Sequence, residues 1–96
     1  MIPKNRIPTH PGEILREEFL RPLGISQTRL AAHIDVYETK ISAIINGRHG
    51  ISPDMAWKLA RALNTSPELW INLQSAYDLA KARNKAPALK PIRKAG

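Results

Sequence analysis

Apolar residues recur at helical spacing in five separate stretches of this chain, and nowhere do they alternate every second residue as in a half-buried strand. The first stretch runs from Pro11 or Gly12 to Leu20, with Ile14, Leu15 and Phe19 as its inner stripe and Pro22 and Gly24 as its stop. Glu13 and Glu17 face away, and Glu17 stands four residues before Arg21. Glu18 falls inside the apolar arc, which calls for a polar partner or a place at its margin. In the second stretch Ser26 is an N-cap, Ile25 and Leu30 hold the two positions of a hydrophobic staple, and Leu30, Ala31 and Ile34 share a face. After a break at Asp35-Val36, Ile41, Ile44 and Ile45 repeat at i, i+3 and i+4, and Gly47 supplies a left-handed stop. The fourth and fifth stretches open alike, with Ser52-Pro53 and Ser66-Pro67 placing an N-cap before a proline in the first turn. Met55, Ala56, Leu59, Ala60 and Leu63 form one arc, and Leu69, Trp70, Leu73, Ala76, Tyr77 and Ala80 form the next, which reaches about Asn84. The expected fold is therefore all-α, with five helices. Residues 1–9 read as a flexible arm, 10–84 as the folded domain and 85–96, where Pro87 and Pro91 stand among Lys and Arg, as a flexible basic tail.

The second and third helices, within residues 25–48, are short and joined by a tight turn, which leaves the outer face of the third free to enter a DNA major groove. With the isoleucines inward, Thr39, Ala43 and Asn46 point outward, flanked by Lys40 and Ser42. Glu38 can accept from cytosine N4, Thr39 can bond several bases, and the Ala43 methyl can meet a thymine methyl. Lys40, Ser42, Asn46 and Arg48 are better placed for phosphates. Each of these residues, taken singly, also fits an ordinary solvated helix face.

The two-helix spacing, the Ile-Ser pair and the Asn-Gly-Arg ending resemble the helix-turn-helix of phage-repressor-like (Xre-type) transcription factors, with a lambda-repressor-like five-helix fold. HPGEIL at 10–15, LGIS at 23–26, NGRHGISPDMAWKLA at 46–60 and NTSPELWINLQSAYDLA at 64–80 resemble the antitoxin HigA family, also called virulence-associated protein I. The resemblance covers roughly residues 10–83. It implies a DNA-binding antitoxin that represses its own operon on a palindromic double-stranded operator and neutralises a HigB-like, mRNA-cleaving toxin. It also implies a phosphate-backbone role for Gln27, with Thr28 and Arg29 assisting. Three positions depart from the family pattern: Asp35 fills a turn site usually held by Gly, Tyr37 replaces a small N-cap, and Glu38 and Ala43 stand where longer or basic readers are frequent. Tyr37 can instead lie against a phosphate or the sugar wall. If the toxin is basic, Glu13, Glu17 and Glu18 form an acidic docking surface; otherwise they are a solvated face.

Composition narrows the rest. The formal charge is +7, yet residues 10–80 carry seven Lys or Arg against eight Asp or Glu, so the excess lies at the ends. Lys4 and Arg6 stand at the front, and six basic residues run from Lys81 to Lys94. Such tails either add counterion-release affinity for nucleic acid or merely solubilise the ends, and both readings stand. The absence of cysteine removes thiolate chemistry, and no apolar run approaches the ~20 residues of a membrane span. With no signal-peptide pattern either, a soluble cytoplasmic protein is expected. His10, His33 and His49 are too scattered for a metal site; His10 is expected to help start the first helix. No catalytic constellation, metal or cofactor is expected.

Trp57 lies about 200° around the fourth helix from Met55, beyond the core arc that ends near 140° at Ala60. Ile71 is similarly displaced on the fifth helix, and large apolar groups so placed mark either an interface or a contact within the monomer. A homodimer is expected through the fifth helix, with Trp70, Ile71, Gln74 and Tyr77 at the contact and Trp57 in a second interface. The rivals to an antitoxin are a stand-alone repressor without a toxin partner and a protein-interaction module that has lost DNA reading.

Overall fold

Ser26, Ser52 and Ser66 each start a helix by accepting a backbone N–H three residues on: Arg29 at 3.0 Å, Met55 at 3.2 Å and Leu69 at 3.1 Å. In the computed structural model, which describes residues 8–83 and 85–93, these caps begin α2 (Gln27–His33), α4 (Pro53–Leu63) and α5 (Pro67–Arg83). The reading helix, α3, spans Glu38–Ile45. It closes in a Schellman arrangement: Gly47, at φ 77°, donates to Ile44 O, and the Arg48 N–H reaches back to Ala43 O at 2.9 Å. The chain is all-helical, with no strand among the described residues. Residues 1–7 of the expected arm lie outside them.

The first helix, α1, differs from expectation. It continues to residue 23 as three joined segments: α-helical Pro11–Ile14, a wider π-helical turn at Leu15–Leu20, and α-helical Arg21–Leu23. Pro22 does not stop it. A proline in an α-helix lacks one N–H and crowds the carbonyl four residues back, and the i→i−5 register (Arg21 N–H to Arg16 O) lets the helix pass it. The end comes one turn later at Gly24, with φ 66°.

The wider turn also settles the awkward Glu18. At α-helical pitch Leu20 would stand about 140° from Leu15 and Glu18 would lie nearer the core. The π turn advances each residue less, so Leu15 and Leu20 are both buried and Glu18 is exposed. Glu17 pairs with Arg21 as expected, at 3.3 Å, and Arg16 reaches both Glu17 at 2.8 Å and Glu13 at 3.7 Å.

The core gathers Leu15, Ile41, Ile44, Leu59 and Trp70, all fully buried, so every helix except α2 places one of them at its centre. Leu30 and Ala31 bring α2 in from the side. Phe19 packs a tilted ring on Trp70 at 5.3 Å. The Trp70 indole N–H donates to Thr65 Oγ1 at 2.8 Å, so its one polar atom is satisfied. Trp70 was expected at a dimer contact; with its whole surface used inside the monomer, it has none to offer a partner. Ala76, expected inward, is exposed, because α5 runs on past the body that its first turns cover.

Candidate nucleic-acid interface

Ile41, Ile44 and Ile45 are buried at 0%, 0% and 6% exposure, which fixes the rotation of α3 and turns its other side to solvent. Glu38, Thr39, Lys40, Asn46 and Arg48 are exposed, and Ser42 and Ala43 are half-buried between them. The Asn46 amide donates to Ser42 Oγ at 3.3 Å, ordering two polar groups across one turn. Arg29 and Thr28 of α2 are exposed, and Gln27 is half-buried at its first turn. The expected readers and phosphate ligands thus share one surface, made from α3, its C-terminal stop and the start of α2.

The turn leading into α3 bears the marks of its sequence. Asp35 adopts φ 58°, the left-handed conformation that Gly takes freely and Asp takes at modest cost. Tyr37, the N-cap residue, makes no side-chain capping bond, as its ring predicts, and stands 86% exposed beside the reading face. Its backbone carbonyl takes over, accepting the Lys40 N–H at 3.0 Å.

What holds α3 from behind was not read from sequence. The backbone of Gly12, in the first turn of α1, lies against α3 so closely that an added Cβ would meet Ile44 O at 1.8 Å and Ile45 Cα at 2.9 Å. A glycine in a helical first turn, where propensity disfavours it, was the available signal. Gln74 is a second brace: its Oε1 accepts the Ile51 N–H at 2.8 Å, and its Nε2 donates to Asp78 at 2.9 Å. Expected in a dimer contact, Gln74 instead ties the loop after α3 to α5, satisfying an amide on the buried residue Ile51.

His10 is the third brace. It caps α1 with Nδ1 accepting the Gly12 N–H at 2.9 Å, and its ring meets Tyr77 edge-on at 4.8 Å. Burial pushes its pKa below the ordinary 6.5, with Asp78 opposing and Lys81 adding to the effect. A cap that accepts at Nδ1 needs the neutral ring, so the unfolded chain takes up the proton first. The stabilisation is whole above pH 6.5 and fades as the pH falls from there through the depressed native value. His10→Asn, which keeps a capping oxygen without a titratable group, is expected to flatten this part of the profile in urea unfolding followed from pH 8 to pH 5, the range of about the His transition.

Among the described residues no three His, Asp or Glu side chains converge as metal ligands, and no helix is long and apolar enough to cross a membrane. The three helix-1 carboxylates do not form a purely acidic face either. Arg16 and Arg21 pair with Glu13 and Glu17, which leaves Glu18 as the uncompensated charge.

A family model described as "Helix-turn-helix" matches residues 15–70, and the chain belongs to that family of DNA-binding regulators. Its relatives include virulence-associated protein I of Dichelobacter nodosus, 40% identical over 93% of this chain and 83% of the relative. Antitoxin HigA-1 of Vibrio cholerae is 42% identical over 91% of this chain and 86% of its own. Among solved structures, Pseudomonas aeruginosa antitoxin HigA with the higBA promoter superposes with a TM-score of 0.82 at 41% identity, covering 90% of this chain and 99% of that one. The resemblance to HigA-type antitoxins and the five-helix fold both hold.

Proposed function

We propose that this chain is a homodimeric, cytoplasmic, non-enzymatic antitoxin that binds an inverted repeat in its own promoter and neutralises a HigB-like toxin. The observation that carries the DNA reading is the outer face of α3, where Glu38, Thr39, Lys40, Asn46 and Arg48 stand exposed on a helix anchored by three buried isoleucines. A structural relative solved with promoter DNA supports it. In this reading Glu38, Thr39 and Ala43 face base edges, while Gln27, Thr28, Arg29, Lys40, Ser42, Asn46 and Arg48 approach phosphates, and Tyr37 lies along the backbone.

The dimer face is reassigned. With Trp70 and Gln74 used internally and Tyr77 half-buried on His10, the apolar surface left over is a shallow groove of Pro53, Ala56, Trp57, Pro67 and Ile71. Trp57 is 52% exposed there, with the Arg61 guanidinium 5.3 Å from its ring centre. A second copy seated on this face would set two α3 helices for successive major grooves, ~34 Å apart.

Mobility shift against the DNA upstream of the gene tests the central reading. A Thr39→Ala, Arg48→Ala double variant is expected to weaken specific binding by about 10- to 100-fold, since a base contact and a phosphate contact each contribute on the order of 1–2 kcal/mol. Absence of specific binding by the parent chain at low salt would sink it. One observation favours the second reading, a repressor without a toxin: the paired Arg16 and Arg21 remove most of the acidic surface expected to dock one. Co-expression with the neighbouring gene and co-purification separates the two.

A further inference from the structure

The charge that residues 10–80 lack is concentrated after them: from Leu79 onward there are six Lys or Arg and no Asp or Glu. Where that charge leaves the body is fixed by a line of contacts. An added Cβ on Gly47, the stop of α3, would lie 3.9 Å from the His10 ring; His10 meets Tyr77 at 4.8 Å; and Lys81 Nζ lies 5.2 Å from the Tyr77 ring centre. The basic end of α5 therefore emerges beside the stop of α3, where Asn46 and Arg48 are exposed, and Gln74 holds the intervening loop to the same helix.

Beyond α5 the chain is extended, not folded back. Lys85, Lys90 and Arg93 are exposed, and Pro87 and Pro91 exclude a helix between them. The radius of gyration is 16.1 Å, against about 13 Å for a compact chain of this length. At ~3.1 Å per residue in an extended proline-containing segment, the run from Lys85 to Arg93 reaches roughly 25 Å. That is enough to follow several phosphates, spaced ~3.4 Å along the axis on each strand.

We propose that the end of α5 and residues 85–93 form a second DNA anchor, one that reads no sequence and binds the phosphates flanking the site that α3 enters. The proposal rests on the DNA reading above. Its partner is the polyphosphate backbone, chosen by charge and by continuity with the reading surface. A protein partner gripping the exposed Leu89 and Ile92 is the rival occupant.

The test titrates the full chain and its Lys85→Gln, Lys90→Gln, Arg93→Gln variant against promoter DNA and an unrelated duplex of equal length, from low to moderate salt. One lost phosphate contact per copy in a dimer is expected to reduce the slope of log K against log salt by about 1.8. Binding of both duplexes should fall together, by roughly tenfold or more at physiological salt, with the promoter-to-unrelated ratio unchanged. Coincident slopes for parent and variant overturn the anchor, and do so in favour of the protein partner if the variant also loses co-purification with the neighbouring gene product. The ratio itself reports on the helix-turn-helix reading: a parent ratio of one removes that reading whatever the slopes show.

Discussion

Gly12→Ala is expected to destabilise the chain by about 3 kcal/mol or more, a large effect for one methyl group. The reason is the partner: the new Cβ meets backbone, at 1.8 Å from Ile44 O and 2.6 Å from Ile44 C, and no rotamer change can relieve that. Either α1 lifts from α3 or α3 turns, and both disturb the surface that carries Thr39 and Asn46. Gly24→Ala provides the contrast. Gly24 has open space around the added atom and only its φ of 66° to lose, so its cost is about 1 kcal/mol. Urea unfolding should show both as shifts in midpoint, with the Gly12 variant far the weaker and poorer in promoter binding. Equal midpoints for the two variants would refute the close packing of α1 on α3.

Trp57→Glu is expected to convert a dimer into a monomer and to reduce promoter affinity by at least about 100-fold, the scale on which joining two weak sites gains affinity. Trp57 is half exposed, so the substitution leaves the core of the single chain intact. In the dimer it would set a carboxylate among Pro53, Ala56, Pro67 and Ile71, with desolvation unpaid unless Arg61 follows it. Sedimentation and far-UV circular dichroism together decide the matter: monomer with unchanged helicity is the expected result, and a variant that remains dimeric moves the interface elsewhere.

The features legible in the sequence are those set within one turn of helix. Ser26, Ser52 and Ser66 cap where a serine before a helical run should, Gly47 stops α3, Asp35 turns left-handed, and the three isoleucines point inward. The reading face follows from them, because rotation of α3 is fixed once Ile41, Ile44 and Ile45 are buried. What escaped detection depends on the meeting of distant segments or on a change of helical pitch. Pro22 read as a stop because a uniform pitch was assumed, and the same assumption put Glu18 inward. Trp70 and Gln74 were placed at an outer contact because periodicity gives a direction around α5 but not which of its turns the body covers. Trp57, by contrast, was already anomalous in the sequence, and it remains half exposed in the fold.

The contact between Gly12 and α3 has one more consequence. Because that helix is held by a backbone-to-backbone approach and by side chains on its far side, none of its outward residues helps to keep it in place. Exchanging Glu38, Thr39 or Ala43 alters what the surface recognises while leaving the scaffold nearly as stable, within about 0.5 kcal/mol for positions as open as Glu38 and Thr39. Address and architecture are carried by separate residues, so this small domain can be retargeted to another operator one side chain at a time.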